Sequence, residues 1–189
     1  VSASQLEPAA FDLHARASDP GGRLLLRFES TPGALAAHLS AMRALLGSGR
    51  STEVSGADEV ATWREQTTRP FAADGLVVRM HWRPASLDRV LAWLAEAGAA
   101  GFDVELTART AMGVGTVRVR GTAEAQVNLV RALRLRSDVF RHVVVLRAAP
   151  AVKAQVDPWG DLGDAARLHA ALKATLDPRG ILNAGRGPV

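Results

Sequence analysis

Arginine and histidine side chains in two alternating segments are the residues of this sequence best suited to bind a ligand. Residues 75–83 alternate apolar side chains with Arg79 and His81, and residues 114–120 do the same around Arg118. Successive side chains of a β-strand point to opposite faces of a sheet, so these residues are predicted to share one polar face. A guanidinium group binds a carboxylate in bidentate fashion, which makes this face a candidate site for an acidic substrate. The alternative is a solvated face on which Arg79 and Arg118 are ion-paired and His81 is hydrated.

The motifs of several other chemistries are missing from the sequence. There is no cysteine, which excludes disulfides, thiol catalysis and thiolate metal ligands. The five histidines show neither H-x-x-x-H nor H-E-x-x-H spacing, so no metal site is predicted. There is no G-x-S-x-G elbow and no P-loop, and Gly113 and Gly115 lack the third glycine of a dinucleotide fingerprint. By itself the sequence therefore carries no complete catalytic motif.

The composition indicates one folded domain. The chain has 189 residues, of which 48% are hydrophobic and 22% are charged, which is enough apolar surface for a core. The net charge is +4, and all of the 23 basic residues except Lys153 and Lys173 are arginine. We interpret this preference for arginine as a feature of overall composition and not as an indication of nucleic-acid binding. Neither a nucleic-acid partner nor a membrane span is predicted, because charged residues interrupt every apolar run. The absence of cysteine is typical of a cytoplasmic protein. Partner subunits could hold such a protein at the surface of a membrane.

The spacing of apolar residues divides the chain into strands and helices. Residues 1–22 contain two prolines and a Gly-Gly pair and are predicted to be a linker. Alternation and apolar runs predict strands at 23–29, 51–54, 75–83, 102–109, 114–120 and 142–147. Apolar stripes at helical spacing predict helices that begin near Pro32, Ala57, Ser86, Thr122 and Asp164, and the last of them ends at Leu176.

A repeated β-α unit indicates the fold. Residues 24–35 align with residues 76–87 at a constant offset, and the coinciding pairs are Leu24 with Leu76, Arg27 with Arg79, Pro32 with Pro84 and Leu35 with Leu87. The second copy continues as β-β-α-β, which is the order of a ferredoxin-like fold. The sequence therefore predicts an α+β domain of duplicated β-α units, with a mainly antiparallel sheet and helices on one face.

The C-terminal segment LDPRGILNAGRGPV combines a helix stop with a run of apolar and polar residues. It follows the pattern L-D-P-x-G-I-L-N-P-G-R, with Ala184 in the place of the last proline. In this pattern the segment resembles the C-terminal signature of FAD-linked oxidases of the vanillyl-alcohol oxidase/PCMH family. Residues 144–180 are similar to the FAD-binding subunit of bacterial glycolate oxidase, in which the matching residues are Val144, Leu146, Arg147, Ala148, Val152, Lys153, Val156, Asp157, Trp159 and Gly160. The duplicated α+β order is also similar to the C-terminal cap domain of that family.

The resemblance implies that the chain is part of an oxidoreductase. Residues 23–176 would form a cap, or substrate, domain that closes over FAD, and residues 177–189 a C-terminal tail that docks on the flavin domain and is loose without it. The implied reaction is the oxidation of a 2-hydroxy acid such as glycolate by hydride transfer to FAD. The implied partners are an N-terminal FAD-binding domain outside this chain, a second flavoprotein subunit and an iron–sulfur subunit, so that the chain alone would be inactive.

The resemblance also assigns residues to the site. The hairpin at 108–115 is similar to the family's A-H-A-G-x-G turn near the flavin, which implies that Arg109 and Gly113 lie close to the cofactor. Arg109 stands at the histidine position of that turn, so neither a metal nor a catalytic histidine is expected there. Asn183 and Arg186 would lie where the tail returns toward the flavin domain. The alternative function is a ferredoxin-like ligand-sensing or protein-interaction module without catalysis.

Overall fold

A computed structural model describes residues 6–47, 49–185 and 187 of the chain. The strands are β1 (Ala10–Arg16), β2 (Asp19–Arg27), β3 (Leu76–His81), β4 (Asp103–Arg109), β5 (Val114–Arg120) and β6 (His142–Arg147). The helices are α1 (Pro32–Leu46), α2 (Gly56–Thr68), α3 (Leu87–Ala99), α4 (Ala123–Leu135), α5 (Pro150–Lys153) and α6 (Ala165–Leu176), and short 3₁₀ turns lie at Arg69–Phe71, Pro84–Ser86 and Thr110–Met112. These elements confirm the predicted α+β class.

The strands form one six-stranded sheet in the order β2-β1-β4-β5-β3-β6. Every neighbouring pair is antiparallel. The succession β3-α3-β4-β5-α4-β6 with the spatial order β4-β5-β3-β6 is the predicted ferredoxin-like unit. The hairpin of β1 and β2 extends this unit beyond β4, so that β2 and β6 are the two edges of the sheet.

One face of the sheet forms the hydrophobic core with α3 and α4. The alternation of β3, β4 and β5 turns one set of apolar side chains toward these helices, as the sequence predicts: Leu76, Val78, Met80, Val104, Leu106, Val117 and Val119. From the helices, Trp93 packs edge-to-face against Phe140, with ring centroids 5.4 Å apart. The fully buried residues include Leu76, Val78, Met80, Val90, Leu106, Val117, Val119, Val130 and Leu133.

The predicted linker over residues 1–22 is wrong, because β1 and the first part of β2 lie within it. Leu13 and Ala15 are buried in the core, and their neighbours Asp12, His14 and Arg16 point to the polar face. The prediction gave more weight to proline and Gly-Gly than to this alternation. An edge strand such as β2 tolerates proline and glycine, because half of its backbone groups need no partner in the sheet. The short strand predicted at 51–54 is absent, since these described residues precede α2 in an extended segment without sheet pairing.

The opposite face of the sheet is polar, as predicted, but α2 and the turn at Arg69–Phe71 cover part of it. Gln66 of α2 is buried and donates to the carbonyl of Leu13, and Glu59 of α2 accepts from Arg27 of β2 at 2.7 Å. The covered part includes one end of β3 and β6, where Val77 is fully buried and Arg147 donates to the carbonyls of Phe71 and Ala73. The other end of these two strands, around Arg79, His81 and His142, remains open to solvent. The face is therefore divided into a covered part and an open part.

Candidate functional site

The open part of the polar face brings together two of the predicted site residues. On β3, Arg79 lies between Thr116 and Val144 of the neighbouring strands, and His81 lies between Val114 and His142. The rings of His81 and His142 are nearly perpendicular, with centroids 6.0 Å apart. Arg79 is exposed and forms no ion pair with a carboxylate in the described part of the chain. We call Arg79, His81 and His142 the open site.

The electrostatics of the open site favour an anion. Burial, together with the nearby charges of His142 and Arg79, lowers the pKa of His81 below the ordinary histidine value of 6.5. The His81 imidazole is therefore neutral at pH 7, and it can accept a proton or a hydrogen bond from a ligand. The neighbouring guanidinium of Arg79 supplies a positive charge and a fork of donors suited to a carboxylate.

Arg109 lies in the same row of the sheet as His81, but two strands away. Val114 of β5 is paired with Arg109 on one side and with His81 on the other. At the usual spacing of neighbouring strands, the backbones of Arg109 and His81 are therefore about 10 Å apart. On its other side Arg109 is opposite Asp12. Burial raises the pKa of Asp12, although Arg109 and a hydrogen bond from Gln66 oppose that rise. The exposed Arg109 guanidinium therefore extends the positive surface of the open site toward the β4–β5 hairpin.

Arg118 does not belong to the open site, which differs from the prediction that it faces substrate. It lies on the polar face as predicted, but in the covered part, where its side chain is 8% exposed and bonded to Glu105. The ion-paired alternative for Arg118 is therefore the one that the geometry supports. The sequence did not indicate this, because the covering of the polar face depends on the packing of α2.

Glu105 is the centre of a buried ion-pair cluster that sequence reasoning missed. Its Oε1 accepts from His14 Nε2 at 2.8 Å and from Arg16 Nη2 at 3.1 Å, and Arg69 Nη1 lies 3.6 Å away. Its Oε2 accepts from Arg118. Burial alone would raise the pKa of Glu105, but the hydrogen bond from His14 and the charges of the arginines outweigh burial and lower it. The cluster ties β1, β4, β5 and the turn after α2 into one unit.

Gly113 has a structural role in the hairpin between β4 and β5. It adopts a left-handed conformation with φ of 62°, and its carbonyl accepts from the N–H of Trp82 at 2.8 Å. A Cβ at this position would lie 2.1 Å from the carbonyl oxygen of Trp82. The turn is fixed on its other side by Thr110, whose hydroxyl donates to the carbonyl of Phe11 at 2.9 Å. Glycine at 113 is thus required by the backbone, whatever lies outside the hairpin.

We expect Gly113→Ala to destabilise the fold by about 2 kcal/mol or more, because a strained φ and a backbone clash add together. Gly101 is a matched control, since it also has a positive φ of 83° but nothing lies within 4 Å of a Cβ built on it. Gly101→Ala is expected to cost only about 1–2 kcal/mol, the strain of the left-handed conformation. Chemical denaturation of the two variants measures the difference, and equal costs would contradict the assigned clash.

The C-terminal segment forms a closed turn, whereas the sequence predicts a loose tail. Asp177 is buried, and its carboxylate accepts from the N–H groups of Ile181 at 3.0 Å and Leu182 at 2.9 Å. Lys173 of α6 donates to Asp177 at 2.6 Å and to the carbonyl of Leu182 at 2.6 Å. The Asp-Pro-x-Gly pattern therefore folds the chain back onto the last turn of its own helix. Asn183 follows in a left-handed conformation, and Arg186 lies outside the described residues.

The helix and turn together expose an unusual number of large apolar side chains. Helix α6 buries none of its residues against the rest of the described chain. An open groove of about 300 Å³ lies between α6 and the turn and is lined by apolar side chains together with His169, Lys173, Asp177 and Asn183. The exposed apolar side chains, each at least 49% exposed, are Leu168, Leu172, Leu176, Ile181 and Leu182. Such a continuous apolar surface is typical of an interaction site. We call these five residues the C-terminal apolar surface.

Two open grooves of about 260 and 300 Å³ lie among the described residues, near the lower limit of the pockets that hold drug-sized ligands. FAD is larger than such ligands, so neither groove fits the whole cofactor, although this part of the chain can line one side of a cleft. The described residues contain no cluster of three or more side chains that could hold a metal ion. None of the described helices combines the length and the apolar character needed to cross a membrane.

Comparison of the chain with protein-family models, with curated proteins and with solved structures finds no match. The assignment of function therefore rests on the resemblance of the C-terminal segment and on the geometry described above.

Proposed function

We propose that this chain is the cap domain of an FAD-dependent oxidoreductase that oxidises a 2-hydroxy acid such as glycolate. In this proposal FAD is held by a separate N-terminal domain, and the cap supplies one wall of the substrate cleft. The bound FAD would accept the hydride of the substrate. A second flavoprotein subunit and an iron–sulfur subunit would carry the electrons away, as the resemblance to the glycolate oxidase subunit implies.

The observation that carries the proposal is the conformation of the C-terminal segment. The residues that match the oxidase signature are the same ones that form the turn on Asp177 and expose Ile181 and Leu182. A turn stabilised by a buried carboxylate, yet presenting apolar side chains outward, is suited to dock on another domain. This supports an interface between the C-terminal apolar surface and a flavin domain.

The open site supports an acidic substrate. Arg79 is free to bind the carboxylate of a 2-hydroxy acid, and the neutral His81 next to it can accept a hydrogen bond from the 2-hydroxyl group. Arg109 extends the same positive surface to the β4–β5 hairpin, where the resemblance implies that the flavin lies. The substrate would thus lie between the open site and the flavin.

Replacement of Asp177 tests the proposed docking. In the purified natural protein that contains this chain, we expect bound FAD, and we expect Asp177→Ala to lower the amount of FAD retained per chain during gel filtration. The reason is that the turn loses the carboxylate that accepts from the N–H groups of Ile181 and Leu182 and pairs with Lys173, and these interactions hold the C-terminal apolar surface in one conformation.

The matched control is Asp161→Ala, which removes another carboxylate that accepts from a backbone N–H, at Gly163, in a segment outside the proposed interface. Asp161→Ala is expected to retain FAD as the wild type does. A natural protein without flavin would exclude the oxidase and favour the alternative of a ligand-sensing or interaction module. Flavin that is unaffected by Asp177→Ala would exclude the docking role of the turn.

A further inference from the structure

The two edges of the sheet differ in how their outward backbone groups are satisfied. At the β6 edge, the N–H of Val145 donates to the carbonyl of Pro158 at 2.7 Å. The carbonyl of Val143 on the same edge accepts from the guanidinium of Arg134 at 3.2 Å, and Arg134 also holds the carbonyl of Asp157 at 2.6 Å. A loop and an arginine therefore cover β6, as is usual for an edge strand in a monomeric protein.

The β2 edge has no such cover among the described residues. In an antiparallel pair, the backbone groups of successive residues point to opposite sides of the strand. The N–H of Ala17 donates to the carbonyl of Val104 in β4, so the backbone groups of Leu13 and Ala15 also point toward β4. The backbone groups of Asp12 and His14 therefore point toward β2. The partners of Asp12 and His14 on β2 are Leu25 and Arg23, whose backbone groups therefore point inward. It follows that Leu24 and Leu26 direct their N–H and carbonyl groups away from the sheet.

The side chains of this edge are suited to pairing and not to solvent. The outward positions carry Leu24, which is 45% exposed, and the half-buried Leu26, both on the helix-bearing face of the sheet. The opposite face of the edge carries Arg23, which forms no ion pair in the described part of the chain. Glu29 continues the same alternation two residues beyond the end of β2; its side chain is 61% exposed and pairs with Arg27 of the same chain at 3.2 Å. The pairing of β2 with β1 is irregular between Asp19 and Arg23 but regular from Arg23 to Arg27. This regular stretch is an apolar edge without lysine or a covering loop among the described residues, which is a template for another strand.

We infer that β2 pairs with β2 of a second copy of this chain, in an antiparallel dimer that joins two sheets into one. The charges select the register. With Leu26 opposite its symmetry mate, Arg23 of each copy lies opposite Glu29 of the other, and Leu24 lies opposite Phe28. With Leu25 on the axis, Arg23 would lie opposite Arg27, which is repulsive. With Leu24 on the axis, Arg23 would lie opposite Leu25 and gain no ion pair.

The dimer does not depend on the proposed oxidase function. Its interface lies at the β2 edge, whereas the open site lies over β3 and β6 at the other end of the sheet. A symmetric interface repeats every contact, so the Arg23–Glu29 pair occurs twice. Charge reversal at either residue places like charges opposite each other at two positions, and reversal of both residues restores opposite charges.

Sedimentation equilibrium of the chain over a range of concentrations tests the dimer. We expect the wild type to form a dimer, and we expect Arg23→Glu and Glu29→Arg each to weaken it by about tenfold or more. The double variant is expected to recover most of the wild-type affinity. Arg50→Glu is the control, because Arg50 is an exposed arginine away from the sheet and its reversal leaves the dimer unchanged.

Hydrogen exchange gives a measurement that needs no variant. The amides of Leu24 and Leu26 are expected to become more protected as the concentration of wild-type protein rises, while the inward amide of Leu25 does not change. A chain that remains monomeric at all concentrations would overturn the inference. So would a dimer that is insensitive to both single reversals, or a double variant that is weaker than either of them.

Discussion

Replacement of Glu105 by glutamine is expected to destabilise the fold by about 3–5 kcal/mol, which corresponds to a fall in Tm on the order of 10 °C. The Glu105 side chain is only 5% exposed and that of Arg118 only 8%. The variant removes the negative charge but leaves the buried Arg118 guanidinium without a compensating carboxylate. An unpaired buried charge costs far more than the loss of an exposed ion pair.

Glu96→Gln is the matched control for Glu105→Gln. Glu96 forms an ion pair with Arg136 at 2.6 Å, but its side chain is 59% exposed. Its replacement is expected to cost less than about 1 kcal/mol, because solvent screens the pair. Urea denaturation at neutral pH compares the two variants. Similar small costs for both would show that the Glu105 cluster does not hold the sheet and the turn after α2 together.

The stabilisation from Glu105 has a defined pH dependence. The folded-state pKa of Glu105 lies below its ordinary value of 4.5, because His14 and the arginines favour the carboxylate. A depressed pKa contributes stability that is present above pH 4.5 and is lost as the pH falls through the folded-state pKa. The difference in unfolding free energy between the wild type and Glu105→Gln is therefore expected to be constant at neutral pH and to shrink below pH 4.5. A difference that grows on acidification would contradict the assigned pKa direction.

Arg79→Ala is expected to lower kcat/KM for a 2-hydroxy acid by about 10- to 150-fold in the flavin-containing natural protein. This range corresponds to the loss of a hydrogen-bonded contact between charged groups, about 1.5–3 kcal/mol. The effect is expected mainly in KM, since the guanidinium binds the substrate carboxylate before and during the reaction. Arg79→Lys is expected to recover only part of the loss, because lysine keeps the charge but not the bidentate fork.

The control for Arg79 is Arg120→Ala. Arg120 lies on the same face of the sheet, but its guanidinium pairs with Asp103 at 3.5 Å and lies away from the open site. Its replacement is expected to leave the steady-state constants unchanged. Steady-state kinetics with glycolate measure both variants, and equal effects of the two would show that the positive charge of the face acts only at long range.

The strands and helices of the ferredoxin-like unit could be predicted from the sequence because local periodicity determines them. The alternation around Arg79 and His81 correctly placed both side chains opposite the core, since a strand with one buried face has a fixed register. The hairpin of β1 and β2 was missed because glycine and proline at an edge strand resemble a linker. Its pairing with β4 is a contact between distant parts of the chain, which periodicity does not encode.

The position of a residue on a face could be predicted, but its burial could not. Arg118 and Arg79 occupy equivalent positions in the alternation, yet α2 and the following turn cover only Arg118. The alternation places Glu105 on the polar face as one of several charged residues. Nothing in the neighbouring sequence indicates that four basic side chains contact its carboxylate. His142 was likewise missed, because its pairing with His81 depends on the order of the strands.

In the C-terminal tail, the spacing of Asp177 before Ile181 and Leu182 is suited to a capping turn. The turn was not predicted, because the resemblance to a docking segment indicated a loose tail.

Anaerobic mixing of glycolate with the natural protein that contains this chain tests the proposed function most directly. We expect the purified protein to carry FAD and glycolate to bleach the visible absorption of the oxidised flavin. We also expect Arg79→Ala to shift this bleaching to higher glycolate concentrations. A protein without flavin, or a bound flavin that no 2-hydroxy acid reduces, would contradict the proposed oxidase function.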